Sequence, residues 1–411
     1  MTPSRSVVVL LVATTIFTAT ALASGFQLNE HGARAMAQAG AFAARAYDGS
    51  AMYFNPAGLG FQTRASVLAG VTLISPSSSF FGPVQLNSNA QYDQAKLLFT
   101  PINGYIVYPV IDRLTVGVAV NNQYGLGTEW TPSTWPGRYL NQKIDLKSFF
   151  FTPTASYRIT DQLSIGAGFV YATGNVKLNR QVAISSVQTP EPVTVTMDLS
   201  GHGMGFSGGL LYKITPEFSV GASYRSKVQI DASGSATFAP NYAALALPQG
   251  DVSTSITLPA NGFFGVAYMP TPDIELEADY QYIGWSVYKE LKFDFKANGS
   301  SSVSPKNYED SYILRFGGQY TMAPWHFRAG YLFDHSPVKT EFVEPLLPDA
   351  SRDGFNIGLG YDLNEHWSFD VAYFFLQFQT RKAENTDPSI AFDGTYKTYA
   401  NLFGLNIEFK F

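Results

Sequence analysis

Alternation of apolar and polar side chains recurs along the chain. Ile274, Leu276, Ala278, Tyr280 and Tyr282 hold one parity, while Glu275, Glu277, Asp279 and Gln281 hold the other. A period of two puts these sets on opposite faces of a β-strand. Phe355, Ile357 and Leu359 repeat the pattern, as do Trp367, Phe369, Val371, Tyr373 and Phe375. Each run adjoins a motif in which a Tyr is followed by residues rich in Thr, Asp, Pro or Asn and then by a large apolar residue. Six copies occur: 108–114 (YPVIDRL), 157–163 (YRITDQL), 212–218 (YKITPEF), 268–274 (YMPTPDI), 320–327 (YTMAPWHF) and 361–367 (YDLNEHW). They read as tight hairpin turns. Between them lie segments rich in Ser, Asn, Pro and Gly, at 76–92, 128–145, 182–200, 233–251, 297–307, 336–351 and 383–396, which read as long loops. Six turns join twelve strands, one strand (about 65–75) precedes the first loop and one (397–411) follows the last, which predicts fourteen antiparallel strands.

Composition decides what these strands face. Only 14% of the 411 residues are charged, against about 25% in soluble domains, and no apolar run after the leader is long enough for a spanning helix. The strands must therefore do the crossing. An open sheet edge in lipid would leave backbone groups unpaired at several kcal/mol each, so the sheet is expected to close into an all-β, 14-stranded antiparallel transmembrane β-barrel. A soluble sandwich or propeller is disfavoured because Arg225, Arg315, Arg328, Glu275, Glu277 and Asp370 would be buried in its core. The six tyrosines form an aromatic girdle at the short-turn end. Phe403, Leu405, Ile407, Phe409 and Phe411 make an amphipathic terminal strand of the kind presented to barrel-insertion machinery, with Phe411 last. A net charge of −5 without a basic run excludes a nucleic-acid partner. The absence of Cys excludes disulfides, thiolate metal sites and lipidated cysteine.

The chain start carries its own signals. Arg5, an apolar stretch over 7–21 and Ala21-Leu22-Ala23 have the order of an export signal, so residues 1–23 are expected to be removed and the mature chain to begin at Ser24. With the barrel, this points to the bacterial outer membrane. Residues 24–62 lack alternation and include an Ala/Gly-rich stretch, 32–46, suited to short helices. Inward positions of the strands are often small: Gly166, Gly168, Gly205, Ser207, Gly209, Ser219, Gly221, Gly358 and Gly360. Residues 24–62 are therefore expected to fold into the lumen as a small N-terminal plug, or hatch, with the barrel over 63–411.

Particular residues carry a family resemblance. Ser24-Gly25-Phe26-Gln27-Leu28-Asn29-Glu30, followed by Asn55-Pro56-Ala57-Gly58-Leu59, resembles the start of the long-chain fatty acid transporter (FadL/TodX) family of outer-membrane proteins. Tyr124-Gly125-Leu126-Gly127-Thr128-Glu129-Trp130, Trp285-Ser286, 327–330 (FRAG), 333–338 (FDHSPV) and 402–404 (LFG) extend the similarity over nearly the whole mature chain. The resemblance implies fourteen strands, a hatch that includes Ser24, Gly25, Phe26, Asn55, Pro56 and Ala57, and passive uptake of hydrophobic compounds. Those compounds are long-chain fatty acids or, in the TodX-like branch, neutral aromatic hydrocarbons. No cofactor is implied, and outer-membrane lipid receives the substrate.

The resemblance also implies site residues. Tyr124, Gly125, Leu126 and Gly127 match a kink in the third strand that opens a lateral gate; spacing alone reads them as a bulge or as an ordinary strand end. Phe26 matches a residue reaching into a central pocket, and its alternative is plain packing. Asn55-Pro56-Ala57 by itself reads as a turn. Arg180, at the outer end of the fifth strand, matches a carboxylate-binding cation, with a luminal salt bridge as its alternative. A second cation of fatty-acid members falls at Glu309, which weakens a two-point carboxylate clamp. Apolar residues in 182–200 and 233–251, among them Val182, Ile184, Val187, Val193, Val195, Tyr242, Leu245 and Leu247, make either an outer capture groove or loops sealing the mouth.

Other function classes fit the sequence less well. A lipid hydrolase needs a nucleophile, and 205–209 (GFSGG) has the G-x-S-x-G spacing, but it sits in a strand with no helix after it. The five histidines show no metal-ligand spacing, so no metal site is expected. A surface receptor with a closed lumen is the remaining alternative.

Overall fold

The computed structural model describes residues 25–184, 191–385 and 391–411. The leader 1–23, Ser24 and Val187 lie outside these residues. The wall strands are β1 (Ser66–Phe81), β2 (Ile102–Ile111), β3 (Leu114–Asn121, resuming at Gly125–Thr131), β4 (Lys143–Arg158), β5 (Leu163–Gln181), β6 (Thr194–Lys213) and β7 (Phe218–Arg225, resuming at Val228–Ala239). The ring continues with β8 (Gly250–Leu258, resuming at Asn261–Thr271), β9 (Ile274–Ile283, with Glu290–Phe295 above it), β10 (Ser301–Pro305, then Ser311–Met322), β11 (Trp325–Asp334), β12 (Arg352–Asp362), β13 (Trp367–Phe378) and β14 (Gly394–Lys410). Every neighbour is antiparallel, and β14 closes on β1 from Ser66↔Lys410 to Phe81↔Thr395. The fourteen-stranded ring therefore has no free edge at its seam, as backbone pairing in hydrocarbon demands.

Side-chain parity follows the expected alternation. Phe403, Leu405 and Ile407 face outward about half exposed, while Leu402, Asn406 and Glu408 are buried inside. In a membrane such outward exposure is contact with lipid. Tyr108, Tyr157, Tyr212, Tyr268 and Tyr320 also point outward beside the short turns.

The expected long loops are much shorter than their composition implied. β5 has 19 residues and β6 has 20, twice the 9–11 needed to cross the hydrocarbon core. Parts of 76–92, 128–145, 182–200, 233–251, 297–307 and 383–396 are strand rather than loop. The reason is an inversion of polarity along the strands. On β4, Phe149 and Phe151 face lipid and Thr152, Thr154 and Ser156 face the lumen, yet farther out Lys143 and Lys147 face outward while Ile144 is buried inside. On β6, Val195, Met197 and Leu199 are buried while Thr196, Asp198 and Ser200 face away. Beyond the bilayer the outer face meets water and the lumen is apolar, so Ser- and Thr-rich sequence remains strand.

Residues 25–62 run inside the ring with little regular structure: single turns at Ala33–Met36 and Ala51–Phe54 and a 3-10 turn at Pro56–Phe61. Of these, only the turn at Ala33–Met36 falls in the stretch 32–46 expected to form short helices. Lacking a ladder, this segment has its backbone groups satisfied by inward side chains of the wall. Asp279 accepts from the Phe42 and Ala43 amides at 2.9 and 3.0 Å, Glu277 from the Ala44 amide at 2.6 Å, and Asn406 from the Ala33 amide at 2.7 Å. Arg225 donates to the Tyr53 carbonyl at 2.6 Å and Arg315 to that of Ala39 at 2.7 Å. The small inward residues allow this approach: a Cβ on Gly221 would lie 2.0 Å from the Ala43 carbonyl oxygen. Ion pairs complete the seating. Arg34 reaches Asp48 (3.2 Å), Asp370 (3.0 Å) and Glu408 (3.2 Å), Arg328 holds Asp370 at 2.6 Å, and Arg45 joins Glu275 (2.7 Å) to Glu277 (2.6 Å).

Arg34→Leu would leave three buried carboxylates without that cation, and breaking a buried ion pair from one side costs roughly 3–5 kcal/mol. Hydrogen exchange in detergent should show lost protection over residues 33–58 while the barrel amides stay protected. Unchanged protection there would mean the ion pairs do not hold the segment.

Candidate functional site

The wall ladder is interrupted where β3 stops at Asn121 and resumes at Gly125. Below the break β3 pairs with both β2 and β4, from Asn103↔Asn121 downward. Above it, Gly125 to Glu129 pair with β4, but the other edge meets chain again at the short ribbon Gln91–Gln94, through Asp93↔Thr131 and Gln94↔Trp130, and at Ala95, which donates to the Glu129 carbonyl at 2.8 Å. Between these points β3 and residues 96–101 of the strap 95–101 are separated by an opening. A cavity of about 600 Å³ occupies it, bordered by Leu28, Phe99, Tyr124, Gly125, Leu126 and Gly127.

The freed backbone at the break does not stay unpaired. Ser148 on β4 accepts from the Tyr124 amide at 3.1 Å and donates to its carbonyl at 2.6 Å. Asn122 bridges the opening, donating to the Ser148 carbonyl at 2.5 Å and accepting from the Ile102 amide at 2.8 Å. The N-terminal segment takes the remaining edge: Leu28 donates to the Gln123 carbonyl at 2.9 Å, Gly125 donates to the Phe26 carbonyl at 3.1 Å, and Gln27 bridges to Tyr124. Residues 26–28 thus stand in for the missing strand.

From this bridge Phe26 projects into an aromatic cluster. Its ring lies 4.9 Å from Trp285, and 5.9 Å from both Tyr124 and Tyr288, all edge-on. Above it an apolar cavity of about 30 Å³ is lined by Phe26, Leu178, Tyr288, Phe293, Tyr308 and Leu346. That is room for little more than one water. Leu126, Ile144 and Leu146 line both this cavity and the wall cavity, so a three-residue partition separates them.

Arg180 stands two residues beyond Leu178 on the same face of β5, and its guanidinium donates to Ser302 at 3.2 Å. No carboxylate pairs with it among the described residues. Lys306 lies in the break of β10 beyond its spanning part, buried and ion-paired with Glu344. Burial first, and the Arg180 guanidinium second, push the Lys306 ammonium down to about 7, while the Glu344 carboxylate favours its charge. Arg180 and Lys306 are each two residues from a residue that lines the apolar cavity, Leu178 and Tyr308, and are near enough for one charge to act on the other. The resemblance places the second basic position of fatty-acid members at Glu309, not at Lys306. Glu309 is on the surface, paired with Lys339 at 2.9 Å. Only the fold reveals the difference, since nothing in 301–310 marks Lys306 as the inward residue.

Asn55, Pro56 and Ala57 lie at the opposite, lower end of the lumen. Asn55 accepts from the Ala57 amide at 3.2 Å and donates to the carbonyls of Ala43 (2.8 Å) and Leu210 (3.0 Å). Gly25, next to Ser24, donates to Asp349 at 3.2 Å, and burial in the β11–β12 connection pushes that carboxyl up to about 6. Among the apolar loop residues, Val193 and Val195 are buried, and Val182, Ile184, Tyr242, Leu245 and Leu247 pack against the upper core. Ser207 is buried in β6 and its hydroxyl has no hydrogen-bond partner among the described residues.

A lipid-belted fourteen-stranded ring with an occupied lumen defines an outer-membrane transport barrel. A family model described as "Outer membrane protein transport protein (OMPP1/FadL/TodX)" matches residues 14–411, and the chain belongs to that family. It is 27% identical, over 98% of each chain, to the long-chain fatty acid transport protein of Escherichia coli. Among solved structures it resembles a Pseudomonas aeruginosa FadL homologue (TM-score 0.86, 19% identity, covering 94% of this chain and all of that one) and the Ralstonia pickettii toluene transporter TbuX (TM-score 0.69, 21% identity, covering 92% and 98%). The protein is thus a bacterial outer-membrane transporter of hydrophobic compounds and not an enzyme.

The pairing of residues 26–28 with the break is directly testable in a chain without native cysteine. Bridged antiparallel residues have Cα atoms about 4.5–5.5 Å apart, within disulfide range. A Gln27→Cys/Tyr124→Cys double variant should oxidise to an intramolecular disulfide, measured by thiol counting and mass spectrometry. Persistent free thiols would contradict the pairing.

Proposed function

We propose that the transported compounds are long-chain fatty acids, which enter from the outer mouth, rest in the apolar cavity above Phe26 and leave sideways through the break in β3. The observation carrying this reading is Arg180, without a carboxylate partner among the described residues, two residues from Leu178 in the lining of an apolar cavity, with Lys306, paired with Glu344, close to it. A carboxylate on a long alkyl chain matches it: the guanidinium and ammonium meet the head group, and the aliphatic and aromatic lining meets the tail. The E. coli relative, named for fatty acids, supports the same substrate.

Loading requires Phe26 to move, because its ring helps fill the space an alkyl chain would take. Phe26, Gln27 and Leu28 belong to the strip that bridges the break, so withdrawing the ring unseats the strip and exposes the opening. The hatch below, with Asn55-Pro56-Ala57 and its ion pairs, stays seated and blocks straight passage to the periplasm. The tail then moves past Leu126, Ile144 and Leu146 into the wall cavity and on to lipid. No energy source is needed, since each methylene moved out of water gains about 0.8 kcal/mol.

Binding to the detergent-extracted protein tests the substrate. Arg180→Ala and Lys306→Met should each weaken oleate binding by roughly tenfold or more, given about 1.5–3 kcal/mol for a hydrogen bond to a charged group. Glu309→Lys should leave binding unchanged. Toluene binding that exceeds oleate binding and ignores Arg180 would reassign the protein to neutral aromatic hydrocarbons, and no binding of either would favour a receptor. Gly125→Trp, which fills the opening, tests the route: oleate uptake by cells should be lost with binding retained, and intact uptake would exclude lateral exit.

A further inference from the structure

The wall opening has two stoppers of different kinds. A Cβ on Gly125 would lie 3.3 Å from Leu28, so Leu28 covers that glycine. A Cβ on Gly127 would lie 2.2 Å from Cζ and 2.3 Å from Cε1 of Phe99, so the Phe99 ring occupies the volume where any other residue 127 would place its side chain. The two stoppers are mounted differently. Leu28 belongs to the N-terminal strip and moves with it. Phe99 sits on the strap 95–101, whose backbone is tied to β1 by Ile74 donating to the Phe99 carbonyl (2.8 Å), Phe99 donating to that of Ile74 (2.9 Å) and Thr72 donating to that of Pro101 (2.9 Å). When the strip leaves, Phe99 stays.

We infer that Phe99 sets the width of the lateral opening and thereby selects passing molecules by cross-section, favouring unbranched chains over bulky ring systems. The inference rests on the lateral-exit reading above. The N-terminal strip decides whether the opening is available, and Phe99 decides how much of it is. Its backbone is fixed, so only side-chain rotation can clear the aperture, and the half-buried ring borders the cavity of about 600 Å³ into which it can swing. Neighbouring Leu98 is 63% exposed on the strap, which places this part of the chain at the lipid boundary. A slender alkyl chain passes after a small rotation, whereas a fused-ring molecule needs the ring displaced altogether.

Cells carrying wild type, Phe99→Ala, Phe99→Leu or Phe99→Trp would be compared for uptake of palmitate and of a fatty acid bearing a terminal pyrenyl group. Phe99→Ala should raise the pyrenyl-to-palmitate ratio by roughly tenfold, the scale of steric selection in apolar sites, with Phe99→Leu intermediate and Phe99→Trp below wild type. Palmitate binding by the extracted proteins should not change, and heat-dependent gel mobility should confirm folded barrels. A ratio unchanged in folded Phe99→Ala and Phe99→Leu overturns the inference while leaving lateral exit intact. Failure of lateral exit would show separately, as undiminished uptake by Gly125→Trp.

Discussion

Every backbone N–H and C=O within the bilayer must find a partner inside the protein. This requirement closes the ring at β1 and β14, and it also explains the lumen. A segment such as 25–62, with almost no ladder of its own, is tolerable there only because Asp279, Glu277, Asn406, Arg225 and Arg315 point inward and supply the missing partners. The same requirement makes the break in β3 consequential. Ser148, Asn122 and residues 26–28 share the freed groups, so the wall is complete only while the N-terminal strip is in place.

Polarity then divides the lumen. The lower half is polar and holds the N-terminal segment through charge pairs and backbone contacts. The upper half is apolar, lined by strand residues such as Val195, Met197, Leu199 and Phe238. A hydrophobic solute can enter the upper half but gains nothing by descending into the lower one. The opening lies level with the junction of the two, where lipid is the nearest apolar phase. The sideways exit proposed above would need no moving part larger than a few residues.

Much of the architecture was legible in the sequence because turns and parity are local properties. The six Tyr-headed motifs marked every short hairpin, and alternation assigned faces correctly at Phe403, Leu405 and Ile407. Strand length was misread where the surroundings invert: Thr196, Asp198 and Ser200 look like loop residues to a composition rule, yet they are the wet face of β6. The surroundings of 306–309 were hidden for a related reason. Whether Glu309 or Lys306 faces the cavity depends on where β10 breaks, and no residue type in that stretch announces it.

The sequence alone determined that the chain forms a fourteen-stranded barrel with a short inner segment, since a strand's period, a turn's chemistry and the apolar outer face are written residue by residue. It also determined, through resemblance, that hydrophobic compounds are carried. The tertiary structure decided the meeting of residues far apart in the chain: Phe26 beside Trp285, Arg180 near Lys306, Phe99 lying over Gly127. Such meetings depend on barrel register and on how an irregular segment satisfies its polar groups, which are properties of the closed ring rather than of any local stretch.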